Sequence, residues 1–164
     1  MRWFTHQVCG VGVTLLGSSD PLVLGCAWLG SIVPDYFDQT ISKVFGRNER
    51  ARQRIFATIH RGISHWFGLW LGVYALGSFA NSLLIRQCVA GFAIGGFFHC
   101  ALDMLTPKGI PLLPFFRKHF GAPLVRTGSA GEYVFLAVLV MCLSMAQRFD
   151  HNAVQALMDI PKLF

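Results

Sequence analysis

No aspartate, glutamate, lysine or arginine occurs from Trp66 to Leu84, from Cys88 to Leu102, or from Tyr133 to Met145. Apolar runs of this length are what a bilayer demands, because backbone N–H and C=O groups in hydrocarbon must be satisfied within the segment. The composition agrees: 54% of residues are hydrophobic and 13% charged, where a soluble domain carries about 25% charged residues. The chain reads as a single all-α integral membrane bundle spanning residues 1–147, followed by a short, mildly amphipathic tail, 148–164.

Five helical segments are expected. Trp3 to Leu16 and Leu22 to Val33 are short and flank the turn Gly17-Ser18-Ser19-Asp20-Pro21, so they read as a tight helical hairpin. A straight helix needs about 20 residues to cross the hydrocarbon core, and these two fall short of that. Trp66 to Leu84 is expected to span, as is Cys88 to Leu105, which His99 and Asp103 interrupt. The fifth run, Tyr133 to Met145, follows Gly128-Ser129-Ala130-Gly131-Glu132. Between the second and third runs, residues 39–59 are polar and basic and read in part as an interfacial helix.

The net charge of +6 does not point to nucleic acid, because the cations cluster beside the apolar runs. With the N-terminus in the cytoplasm, residues 1–2, 34–61 and 106–128 hold one, six and four cations, eleven of the fourteen. This is the positive-inside pattern, and it also suits anionic lipid headgroups. The five cysteines lie singly in apolar stretches without a C-x-x-C pair, so neither a disulfide framework nor a thiolate zinc site is expected. Val23-Leu24-Gly25-Cys26 is faintly like a lipoprotein cleavage site, but His6 and Asp20-Pro21 break the apolar core that a signal peptide needs.

The same topology gathers the ionisable residues. His6 starts the first helix, Asp35 and Asp38 follow the second, and His60 and His65 open the third; His99 and Asp103 end the fourth, and Glu132 opens the fifth. All eight fall at the cytoplasmic ends. His99 and Asp103, four apart, share a helix face. His60 and His65, five apart, would diverge by about 140° on a straight helix and converge only if the chain bends. Gly62 permits the bend, and Ser64 is placed to cap a helix starting at His65.

Imidazole and carboxylate without thiolate suits a divalent metal, zinc first and manganese or iron as alternatives. Eight such groups exceed the needs of one ion, and two ions about 3.5–4 Å apart are the usual arrangement for phosphoester hydrolysis. Each residue also has a plain structural reading. Pro34-Asp35 alone is an ordinary helix stop, and Glu132 alone offsets a helix dipole. His119 and His151 have no partner in the pattern.

His60-Arg61-Gly62-Ile63-Ser64-His65, together with His99-Cys100-Ala101-Leu102-Asp103-Met104-Leu105-Thr106-Pro107-Lys108-Gly109-Ile110-Pro111-Leu112-Leu113-Pro114, resembles the LexA-regulated inner-membrane metal-dependent hydrolase family of bacteria. Thr5-His6, Gly30 to Asp35 and Gly128 to Glu132 match further motifs of that family. Two features depart from its pattern: the second acid, Asp38, stands three residues after Asp35 rather than two, and Trp66 replaces a serine after His65. Asp35 and Asp38 then share a face only if their segment is helical. The family is distantly similar to zinc-dependent phospholipase C and P1-type nucleases, which implies hydrolysis of phosphoesters at metal ions.

The resemblance implies a multi-pass inner-membrane hydrolase with its site at the cytoplasmic interface, acting on a phosphoester of a lipid or lipid-linked molecule. His6, Asp35, Asp38, His60, His65, His99, Asp103 and Glu132 are the candidate metal ligands. Arg61, Lys108 and Arg126 are the candidate cations for phosphate oxygens. Membrane lipids are the expected partners, with nucleic acid not expected and an oligomer left open. Two rival readings remain: a non-catalytic membrane subunit with a structural metal, and a proton or metal-ion transporter.

Overall fold

The computed structural model describes residues 1–113 and 119–159, with side chains described through residue 149. The calls on the tail's side chains, including His151, lie outside the described residues, as does the Pro114 end of the fourth motif.

Among the described residues the chain forms seven α-helices: α1 (Trp3–Leu15), α2 (Pro21–Gly30), α3 (Val33–Phe45), α4 (Glu49–Ile59), α5 (Phe67–Ser78), α6 (Leu83–Met104) and α7 (Ala130–Asp159). A short 3₁₀ turn, Ile63–His65, precedes α5. Between α6 and α7 the loop carries a two-residue antiparallel ribbon, β1 (Ile110–Pro111) with β2 (His119–Phe120), pairing Ile110 with Phe120 and Pro111 with His119.

Local chemistry accounts for several boundaries. Pro21 opens α2 where its missing N–H is no loss, and Asp20 caps it by accepting from the Leu22 amide at 2.8 Å. Asn48 caps α4 in the same way, accepting from the Ala51 amide at 2.8 Å. Pro34 is not a helix stop. It sits in the first turn of α3, the position where proline starts a helix, so the stretch expected as an exit from α2 begins a new amphipathic helix.

α6 is the central element, with α1, α2 and α5 packed on it and α7 packed on α1. The approach depends on small residues. A Cβ on Gly95 would run into the Ala27 carbonyl of α2, one on Gly91 into the Val23 carbonyl, and one on Gly30 into the Phe92 backbone of α6. Gly96 makes room for the Trp70 indole of α5. Helices in lipid gain little from apolar burial and associate instead through close backbone approach, for which Gly91-x-x-x-Gly95 is a recognised spacing.

Only α6, with 22 residues, and the segment Ala130–Phe149 of α7, with 20, are long and apolar enough to cross a membrane among the described residues. The expectation that Trp66 to Leu84 spans is corrected: α5 has 12 residues, about 18 Å of helix, because the chain turns at Phe79 to Ser82 before α6 starts. α1 and α2 are short, as their sequences indicate. The fold is thus mostly helical with two candidate spans and shorter helices packed on one of them.

This packing predicts that Gly95→Ala destabilises the protein by about 1–3 kcal/mol, while Gly72→Ala, whose Cβ would meet open space, changes little. Thermal unfolding of the two variants in detergent measures the difference.

Candidate metal centre

The ends of α1, α3 and α6 and the α4–α5 turn meet at one place. His6 comes from the second turn of α1, Asp35 from the first turn of α3, and His99 and Asp103 from the last turns of α6. His60 and His65 arrive on the connection between α4 and α5.

That connection makes the bend that their spacing requires, at the expected Gly62 and at the residue before it. α4 stops at Ile59, and His60 is extended. Arg61 takes the left-handed conformation, φ 61°, which a non-glycine residue adopts only when its surroundings hold it there. The bend therefore comprises Arg61 and Gly62, since Gly62 (φ −92°, ψ −126°) is neither helical nor extended and a Cβ there would meet the Ile59 carbonyl oxygen at 2.8 Å. Ser64 makes no cap: Trp66 is the N-cap of α5. The His60 and His65 rings end up 5.2 Å apart, edge to face.

Two triads lie within metal-ligand reach: His6 with His99 and Asp103, and Asp35 with His60 and His65. They are joined into one centre. His65 Nε2 lies 3.2 Å from His99 Nε2, 3.4 Å from Asp35 Oδ1 and 3.6 Å from Asp103 Oδ2. His99 Nε2 lies 3.7 Å from Asp35 Oδ1 and 4.0 Å from Asp103 Oδ2. Donors held tetrahedrally at about 2.1 Å from a zinc ion stand about 3.4 Å from one another, so these spacings fit a shared ion. Asp103 faces both ways, because its Oδ1 lies 3.5 Å from His6 Nε2.

The tautomers can be read from the partners. His99 Nδ1 is 2.7 Å from the Ser31 carbonyl, which only accepts, so Nδ1 carries the proton and Nε2 offers its lone pair. The Ser64 hydroxyl donates to Asp38 Oδ1 at 2.7 Å, so His65 Nδ1, 3.0 Å from Ser64 Oγ, must donate to it. His65 Nε2 is then also free to ligate. Carboxylate and carbonyl partners behind a ligating imidazole are the usual way its orientation and basicity are set.

Among the described residues four buried side-chain atoms have no hydrogen-bond partner: both ring nitrogens of His6, Asp35 Oδ1 and Arg61 Nε. Unpaired buried polar atoms are costly and call for an explanation. A divalent cation satisfies Asp35 Oδ1 and one His6 nitrogen, while the other ring nitrogen keeps its proton, so the residues present fit a metal.

Two expected ligands have other partners. Asp38 and Asp35 do share a helical face. Asp38, however, accepts from Ser64, from the Arg61 amide at 3.2 Å and from His60 Nδ1 at 3.2 Å, so it stands behind the imidazoles. Glu132 is buried outside both triads. Its carboxylate accepts from the Arg2 and Gly128 amides, each at 2.6 Å, and from the Thr5 hydroxyl at 2.9 Å, pinning the start of α1 to the start of α7.

Arg61 is not a free cation. It is buried, donates to Thr106 Oγ1 at 2.9 Å and the Gly109 carbonyl at 2.8 Å, and pairs with Asp103 Oδ2 at 3.0 Å. It clamps the His60–His65 turn to the loop after α6. Lys108 and Arg126 line a cleft of about 340 Å³ that also reaches Asp35, His60 and Asp103. Trp66, where the resemblance leads one to look for a serine, donates its indole N–H to the Leu112 carbonyl at 2.9 Å and so ties the same loop down. His119 is exposed, without a place in the centre. The Ser31 carbonyl and the Ser64 hydroxyl were not foreseen as parts of the site; Ser31 adjoins Gly30 in a matched motif, but nothing in the sequence says that its backbone oxygen is used.

A helical membrane-type chain with a buried imidazole–carboxylate centre under a basic cleft is the class that fold and site define. The YdjM inner membrane protein family matches residues 1–158, and the chain belongs to that family. It is an inner membrane protein, consistent with its two long apolar helices. No curated protein and no solved structure matches the chain.

The two roles of the acids are separable. If the centre takes Zn²⁺, Asp35→Asn is expected to abolish its tight binding to purified protein, whereas Asp38→Asn, which perturbs only the groups behind the imidazoles, is expected to weaken it about 10–100-fold. Competition titration against a chelating dye measures both.

Proposed function

We propose that the protein is a membrane-bound metal-dependent hydrolase that cleaves a phosphoester of a lipid or lipid-linked substrate. The observation that carries this reading is the cleft: the imidazole–carboxylate centre opens into a cavity lined by Lys108 and Arg126. A purely structural metal needs no such opening.

His6, His65, His99, Asp35 and Asp103, with His60 beside them, would hold one or two divalent ions, with zinc as the first choice. A bound ion would act as a Lewis acid, lowering the pKa of a water and polarising the phosphoryl oxygen. The chain's own residues do the rest. Lys108, as a point charge, and Arg126, through its planar guanidinium, bind and orient the phosphate oxygens and offset the charge that grows on them. Arg61, already bonded to Asp103, Thr106 and Gly109, holds the carboxylate and the loop in place rather than binding substrate. No serine or cysteine nucleophile is required.

The charge pattern supports a cytoplasmic site. His99 and Asp103 at the end of α6 and Glu132 at the start of α7 lie on the side to which the basic segments 43–61 and 106–128 belong. A transport path is disfavoured by α6 itself, which has no polar side chain from Cys88 to Phe98.

Metal analysis of detergent-purified protein, paired with a phosphatase and phospholipase panel, tests the reading. Bound zinc or manganese that His99→Ala/Asp103→Ala loses, and hydrolysis that His60→Ala/His65→Ala abolishes, are expected. Protein that contains no metal, or whose metal survives those substitutions, overturns it.

A further inference from the structure

The α3–α4 hairpin is built the wrong way round for water. On α3, Tyr36, Phe37, Val44 and Phe45 are 60%, 54%, 71% and 71% exposed, while Asp38 and Ser42 of the same helix are buried. An amphipathic helix in water turns its apolar arc inward, so this outward arc requires an apolar phase to cover it.

Cations stand beside it. Arg47, Arg50 and Arg54 follow Phe45 through the turn at Gly46 into α4, all exposed, and none enters an ion pair among the described residues. Arg52 is different, since its Nε donates to the Gly46 carbonyl at 3.1 Å and closes the turn. α4 has no buried residue at all. Exposed apolar side chains flanked by arginines match the boundary between acyl chains and anionic headgroups.

The other end of the hairpin is the metal centre. Asp35 and Asp38 lie at the start of α3, and His60 follows the end of α4. The hairpin's root is tied together by Asp38, which accepts from the Arg61 amide and the Ser64 hydroxyl. Whatever holds the arm also holds these ligands.

We propose that the α3–α4 hairpin is an arm that docks on an anionic phospholipid surface, and that docking keeps Asp35, His60 and His65 in register for metal. Val44 and Phe45 enter the acyl boundary, and Arg47, Arg50 and Arg54 take lipid phosphates. The second half of this rests on the proposed metal centre; the first does not. Each cation near an anionic surface strengthens binding about fivefold, so the three together contribute about a hundredfold.

The test compares full-length protein in nanodiscs of pure phosphatidylcholine with nanodiscs of phosphatidylcholine and phosphatidylglycerol in equal parts. Hydrogen exchange of residues 43–58 is expected to slow when phosphatidylglycerol is present, and Co²⁺ is expected to bind more tightly. Arg47→Gln/Arg50→Gln/Arg54→Gln, which touches no ligand, removes both differences. Exchange that ignores phosphatidylglycerol overturns the arm, even if Co²⁺ binding stands. Slowed exchange with Co²⁺ affinity equal in the two discs keeps the docking and overturns its link to the centre. Slowed exchange with no Co²⁺ binding in either disc also keeps the docking, but overturns both the link and the proposed function.

Discussion

Burying three imidazoles and a carboxylate at the end of a membrane helix is expensive, and the rest of this structure is arranged around that cost. His6, His65, His99 and Asp103 are all nearly inaccessible. Hydrogen bonds to the Ser31 carbonyl, the Ser64 hydroxyl, the Met1 amino group and Arg61 satisfy only some of their atoms; among the described residues both nitrogens of His6 and Asp35 Oδ1 are left without partners. Polar groups in such a setting persist where something compensates them, and their convergence from α1, α3, α6 and the α4–α5 turn gives one place for that compensation to act.

The supporting features follow from this. Close approach of α6 to α2 through Gly91 and Gly95 brings the Ser31 carbonyl to His99 Nδ1, so backbone packing sets an imidazole tautomer. The left-handed Arg61 turns the chain so that His60 and His65 face the same carboxylates, while its guanidinium holds Asp103 and the loop after α6. Glu132 does a related job at a distance from the centre, joining the first turns of α1 and α7. Two charged residues, Arg61 and Glu132, therefore hold others in position.

Much of the site was legible in the sequence because helical spacing carries it. The four-residue interval of His99 and Asp103 and the three-residue interval of Asp35 and Asp38 each put two groups on one face. The demand for a bend between His60 and His65 was also readable. Gly62 marked its location, but the left-handed Arg61 beside it was not readable, because that conformation depends on tertiary partners. Helix lengths were less legible: Trp66 to Leu84 is apolar throughout, and hydropathy does not register that the chain turns at Phe79 to Ser82. Nor does sequence distinguish an acid within metal-ligand reach from one bonded behind the imidazoles, since Asp35 and Asp38 differ only in what lies opposite them.

On the proposed function, one centre of imidazole and carboxylate donors, without thiolate, holds a metal. X-ray absorption at the zinc edge of the zinc-loaded protein tests it most directly. The account predicts a shell of nitrogen and oxygen at about 2.0–2.1 Å with the outer-shell scattering of several imidazoles. Sulfur scattering at about 2.3 Å, or a shell with no imidazole signature, contradicts it.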